Sequence, residues 1–193
     1  MPSIFKNLST ATVLATMALA FAASSHAAPY QSVQMDKSSV KFSYKQMGVG
    51  MDGHFAKFNP QISFDPAKPE LTKASIEVDL TSIDTGSGEA DQEVVGKPWF
   101  NASAFPKAVF VAKQVKQTAP NVYEVLGSLS IKGRSRDVKF DLKHNPQGKV
   151  GVLTGSFTLQ RADYAIGEGS WSKFDVVAND VVVSFQITAL TGK

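Results

Sequence analysis

Several groups of residues in this chain have types and spacings that chemistry uses. Gly48-Val49-Gly50-Met51-Asp52-Gly53 spells G-x-G-x-x-G, the pattern that brings backbone N–H groups against a pyrophosphate. That task requires a helix N-terminus directly after the third glycine. The chain instead continues His54-Phe55-Ala56-Lys57-Phe58-Asn59-Pro60, which reads as a short strand ending at a proline turn. The glycines are therefore expected to permit a tight or bulged connection between strands. His54 or His144 could serve as a distant base for Ser87 or Ser170, but no serine has the G-x-S-x-G setting of an exposed nucleophile. Glu89, Asp91 and Glu93 have spacings that suit acid–base work. At the start of a short helix, however, acidic residues are expected to be solvated and favoured by the helix dipole. Arg161 and Asp163, at i and i+2 on an expected strand, share a face and can pair to brace one end of the fold; an ordinary exposed ion pair is the alternative. Trp171, in the Gly167-Glu168-Gly169-Ser170-Trp171 loop, either covers an opening or packs under its own loop. None of these signals supports an enzyme.

The elements that must position these residues are strands. Val40, Phe42 and Tyr44 alternate with polar neighbours, as do Ile76, Val78 and Leu80, and Val138, Phe140 and Leu142. Val181, Val183, Phe185, Ile187 and Ala189 repeat the pattern near the C-terminus. A period of two marks sheets with one apolar and one wet face. Turn chemistry separates the runs at Asn59-Pro60, Asp65-Pro66, Lys132-Gly133-Arg134 and Asn145-Pro146-Gln147-Gly148. One segment departs from the pattern: a short helix is expected near residues 89–95, ended by Gly96 and Pro98, with Trp99 and Phe100 pointing inward to close one end. The fold class is all-β, and a closed or nearly closed antiparallel barrel suits this spacing, with a β-sandwich as the alternative.

Composition narrows the setting. Residues 1–27 carry Lys6, an apolar run from Ala11 to Ala23 and small residues before Ala28. That is the layout of a secretory signal peptide cut near Ala27/Ala28, and the apolar run is short for a bilayer span. Residues 28–193 then form one exported domain, with no stable membrane insertion of the mature chain. The chain has no Cys, which excludes a disulfide framework, a thiol nucleophile and a lipoprotein anchor. A net charge of +3 spread over scattered Lys and Arg argues against nucleic acid as a partner. The two histidines of the mature chain stand far apart, so no metal site and no cofactor are expected.

Several segments, in order, resemble one family. Ser82-Ile83-Asp84-Thr85-Gly86 followed by Asp91 is similar to the S-I-D-T…D segment of the YceI-like family. Gly53-His54-Phe55-Ala56-Lys57-Phe58 is similar to its G-x-F-x-x-F, and Phe105-Pro106-Lys107-Ala108-Val109-Phe110 to its strand start. Gly127-Ser128-Leu129-Ser130-Ile131-Lys132-Gly133 resembles its hairpin, and Arg161-Ala162-Asp163-Tyr164 its basic-acidic-aromatic tetrad. The resemblance covers about residues 30 to 190. It implies an extended antiparallel lipocalin-like β-barrel in the periplasm that binds isoprenoid or other long-chain amphiphiles, polyprenyl compounds and quinones among them. It brings no catalytic residues with it. Gly167 to Trp171 and Val176 to Val181 depart from many members and resemble a subgroup associated with respiratory membrane cytochromes, which favours a quinone ligand and a membrane cytochrome partner.

On that reading Phe42, Phe55, Phe58, Ile76, Val78, Phe110 and Phe185 are expected to line a ligand site, with Trp99 and Phe100 near one end. Asp91, Arg161 and Tyr164 are expected as polar contacts near an opening. A homodimer is compatible with the sequence. The alternatives are a side-chain-filled barrel that serves as a partner protein of a membrane cytochrome or as a stress-response factor, and an enzyme acting on lipid-linked substrates through His54 or the acidic segment.

Overall fold

The computed structural model describes residues 28–192, so the expected leader lies outside the described residues. The N-terminal half contributes β1 (Tyr30–Val33), β2 (Ser39–Gln46), β3 (Val49–Phe55), β4 (Phe58–Ser63), β5 (Lys73–Asp79) and the short β6 (Ile83–Asp84). The C-terminal half contributes β7 (Lys107–Ala119), β8 (Val122–Ile131), β9 (Arg134–Gln147), β10 (Val150–Gln160) and β11 (Val177–Thr191). All pair antiparallel in one curled, lipocalin-like sheet of order β4-β5-β7-β8-β9-β10-β11-β2-β3-β6. β1 takes over the flank of β11 where β2 stops, pairing Tyr30 with Thr191. It also bridges across to Phe64, whose N–H donates to the Tyr30 carbonyl at 3.1 Å while the Tyr30 N–H donates to the Phe64 carbonyl at 2.8 Å. This contact draws the two sides of the roll together at one end. Among the described residues no helix is long and apolar enough to cross a membrane.

Two of the two-residue hairpins have both turn residues at the left-handed values that match strand twist. Met47-Gly48 (φ 51° and 81°) joins β2 to β3, and Lys132-Gly133 (φ 49° and 72°) joins β8 to β9. The G-x-G-x-x-G stretch is therefore a hairpin turn followed by β3, with Gly53 directly opposite Phe42. Helix α1 (Gly88–Val94) begins at Ser87, whose hydroxyl accepts from the Ala90 N–H at 3.5 Å.

Three local expectations are corrected. Asn59-Pro60 is not a turn: Pro60 lies within β4, an edge strand whose outer flank needs no donor. Pro146 lies within β9 beyond its last pair with β8, Val122–Lys143, so the turn shifts to Gly148-Lys149. Leu80 and Arg161 leave the strands they were placed on, each starting a 3-10 turn (Leu80–Ser82 and Arg161–Tyr164). At the first of these, the Asp79 carboxylate accepts from both the backbone N–H and the hydroxyl of Thr81, at 2.9 and 2.6 Å.

The interior divides into two halves along the strands. Toward the β1 end, Tyr30, Phe64, Val115, Tyr123, Val125, Leu142, Leu153 and Ile187 fill the space. His144 continues the inward set of β9 and sits 5.0 Å from the Tyr30 ring and 5.3 Å from the Phe64 ring, both edge-on. Neither of its ring nitrogens has a partner among the described residues. Burial pushes its pKa below the ordinary 6.5, because a charged imidazole there would be desolvated and unpaired. The sign follows from linkage: as pH falls through about 6.5 the unfolded chain takes up a proton before the folded one, so stability declines until the depressed folded pKa is passed. Urea unfolding at pH 7.5 and 5.5 is expected to show lower stability at 5.5, and His144→Phe is expected to flatten that part of the profile. An unchanged slope in the variant would assign it to other groups.

Candidate functional site

The other half of the interior holds a cavity of about 770 Å³. Its walls are the inward residues of successive strands: Val40, Phe42 and Tyr44 of β2, Met51 and Phe55 of β3, Leu129 and Ile131 of β8, Phe157 and Leu159 of β10, and Val177, Val181 and Val183 of β11. Val182, between two lining residues, points outward and is 40% exposed. Phe55, Phe157, Val181 and Val183 are only half-buried although they face inward, since the cavity is on one side of each.

A cap covers this end. It comprises α1, the Trp99-Phe100 segment after it and the 3-10 turn Gly169–Trp171. The indoles of Trp99 and Trp171 lie 5.3 Å apart, and the Trp171 Nε1–H donates to Glu93 Oε1 at 3.0 Å, which ties the turn to α1. Trp171 thus borders the opening and does not merely pack under its own loop. Polar side chains on the lining are confined largely to this region: Gln46, Thr85, Ser87, Glu89, Gln92 and Glu93. The arrangement is an apolar chamber under a polar, partly acidic rim.

Arg161 holds the cap together from below. It is 1% exposed and does not pair with Asp163, which points to solvent from the 3-10 turn. Its Nε–H donates to the Ala178 carbonyl at 3.1 Å; Nη1 donates to the carbonyls of Ile166 and Gly167, and Nη2 to those of Trp171, Lys173 and Val177, all at 2.8–3.2 Å. Its guanidinium also lies 5.6 Å from the Trp99 ring centroid and 5.0 Å from that of Phe174. Arg161 borders the cavity, yet its donors are committed to backbone carbonyls, so it positions the cap and offers no N–H to a ligand. The Lys132 ammonium adds a second tie, donating to the Ala165 carbonyl and to Glu168 Oε2, both at 2.7 Å. That ion pair holds the exposed Glu168 carboxyl below its ordinary range.

The residues expected to form the site are distributed unequally. Phe42, Phe55, Val78, Trp99 and Phe100 line the cavity. Phe58, Ile76, Phe110 and Phe185 do not; each packs against both halves of the interior and forms the partition between them. Asp91 faces Thr85, accepting from its N–H at 2.7 Å and its hydroxyl at 2.8 Å, and so fastens α1 to the end of β6. Tyr164 is buried beneath the cap with its pKa pushed up to about 12 by desolvation, and it does not border the cavity. His54 is exposed, with Nε2 3.8 Å from Asp84 Oδ2. The lining also includes side chains not expected at the site, Val40, Tyr44, Met51, Phe157, Leu159, Val177, Val181 and Val183 among them. The alternation of Val40, Tyr44, Val181 and Val183 was visible, but their height along the roll was not.

The YceI-like domain family model matches residues 31–189. A UPF0312 protein of Pseudomonas savastanoi pv. phaseolicola is 28% identical over 155 residues, covering 76% of this chain and 79% of that one. Among solved structures, BcnA of Burkholderia cenocepacia superposes with a TM-score of 0.79 at 34% identity, covering 81% of this chain and 99% of that one. A polyisoprenoid binding domain from Saccharophagus degradans superposes with a TM-score of 0.67 at 15% identity, covering 85% and 99%.

Proposed function

The chain belongs to the YceI-like domain family, and from that premise we propose that it is a periplasmic binding protein holding the tail of an isoprenoid-type lipid, quinones included, in its cavity. The observation that carries this reading is the apolar chamber of about 770 Å³ beneath a polar rim, within the size range of small-molecule sites. Water in such a chamber is poorly hydrogen-bonded, whereas a hydrocarbon tail gains roughly 0.8 kcal/mol for each methylene it buries. The rim suits a head group of modest polarity that stays near solvent. The Saccharophagus degradans domain is described as polyisoprenoid-binding, which agrees in ligand class. Function here is binding and release, with a membrane cytochrome as a candidate recipient when the cargo is a quinone. A barrel filled by side chains, the main alternative, describes the β1 half well and the cap half poorly.

The chain has two tryptophans, and both border the cavity. Titration with farnesol or with a short-tailed quinone is therefore expected to change the intrinsic emission saturably: a blue shift with the alcohol as water leaves, strong quenching with the quinone. Emission that stays flat with both, in a folded protein, would contradict the proposal.

A further inference from the structure

The partition between the two halves of the interior has a consequence for what the cavity accepts. Phe140 is its hub, with ring centroids 5.6 Å from Phe110, 5.5 Å from Phe157 and 5.5 Å from Phe185. Phe157 faces the large cavity; Phe140 and Phe185 face a separate apolar void of about 50 Å³ on the far side. That void has room for little more than a water-sized group. Beyond it the Tyr30–Phe64 contact and the filled core close the roll.

The partition is seated on the wall at two mid-strand glycines. Phe185 pairs directly with Gly155, and a Cβ at that glycine would lie 2.6 Å from the Phe185 Cζ atom. Phe110 lies over Gly127 in the same way, closer than any Cβ would allow. Glycine inside a strand removes packing surface and is kept where another group must come close. Here it lets each ring lie against the neighbouring strand, so the floor is held by the sheet itself as well as by ring-on-ring contact.

We infer that this aromatic floor sets the length of tail the protein takes, and that Phe185 and Phe140 are its chain-length determinants. The inference rests on the lipid-binding reading and deepens it. A tail that enters under the cap ends at Phe157, which Phe140 backs from the far side with Phe185 against it. Each carbon buried above the floor raises affinity, by about fourfold per methylene. Carbons beyond the floor's reach stay at the rim and add nothing.

The test is a titration with geraniol, farnesol, geranylgeraniol and a hexaprenyl alcohol, read by tryptophan emission, on the wild type and two variants. Val183→Phe adds a ring one pleat above Phe185, on the cavity side, and Phe185→Ala opens the floor into the small void. In the wild type, affinity is expected to rise with chain length and then level off. Val183→Phe is expected to level off at a shorter alcohol, and Phe185→Ala at a longer one. If Phe185→Ala does not fold, Phe140→Leu opens the same barrier with less loss of packing, and Val183→Phe decides the question alone. A plateau at the same length in wild type and variants, or affinity still rising through the hexaprenyl alcohol in the wild type, would overturn the ruler while leaving lipid binding intact. Saturable binding of none of the four alcohols would overturn both.

Discussion

Arg161→Leu is expected to lower the melting temperature by about 10 °C and to abolish lipid retention at temperatures where the barrel itself is still folded. The leucine fills part of the volume but leaves six carbonyls, from Ile166 to Ala178, without the donor that now gathers them. Buried acceptors without partners are costly, and a buried cation serving several of them at once contributes on the order of 3–5 kcal/mol. A chain of this size loses roughly 2–4 °C for each kcal/mol. The loss falls on the cap first, because four of the six acceptors belong to the irregular stretch between the 3-10 turn at Arg161–Tyr164 and β11, and the other two, Val177 and Ala178, are the first residues of β11. Near-ultraviolet dichroism of the tryptophans is expected to collapse ahead of the far-ultraviolet strand signal. Arg161→Lys is expected to recover little, since one ammonium cannot reach carbonyls spread around a planar fork. A fully stable, lipid-retaining Arg161→Leu protein would show that the cap is organised by something else.

Val183→Asp is expected to weaken binding of an apolar tail by about a hundredfold while the fold persists. Val183 lies on a central strand between Phe157 and Phe42 and faces the cavity, where a carboxylate can still draw in water when no ligand is present. A tail must displace that water and leave the acid unsolvated, a penalty of roughly 3 kcal/mol at this kind of site. The control is one residue away: Val182→Asp, on the outer face of the same strand, is expected to bind as the wild type does. Equal weakening in both variants would point to damage to β11 and away from the cavity.

Much of this architecture was legible in the residues. Alternation located the cores of β2, β5, β9 and β11, and the acidic stretch after Ser87 located α1 to within a residue or so. What misled were prolines and polar tetrads. Pro60 and Pro146 read as turns because a proline cannot donate to a ladder, yet both occupy strand positions where one flank is unpaired. Arg161-Ala162-Asp163-Tyr164 reads as a strand with an internal ion pair, whereas its arginine is satisfied by carbonyls five to seventeen residues downstream, in an irregular loop and the first residues of β11. No local pattern encodes such partners.

The site was legible in one dimension only. Period two says which side chains point inward, and Phe42, Phe55, Phe110 and Phe185 all do. It does not say how far along the roll each one lies, because height is set by register between strands distant in sequence. Register places Phe185 opposite Gly155 and Phe110 opposite Leu129, at the level of Phe140, while Val183 lies opposite Phe42 nearer the cap. The signal for the floor was nonetheless present as Gly127 and Gly155, glycines in the middle of otherwise strand-like runs. His144 was similarly visible as the polar member of the Phe140, Leu142, His144 inward series.

The most direct test is native mass spectrometry of the protein purified from the cells that make it, followed by organic extraction and identification of what is released. A stoichiometric isoprenoid or quinone is expected, lost together with the cap in Arg161→Leu. A mass equal to the polypeptide alone, unchanged after incubation with polyprenyl lipids, would contradict lipid binding and leave a barrel whose partners are proteins.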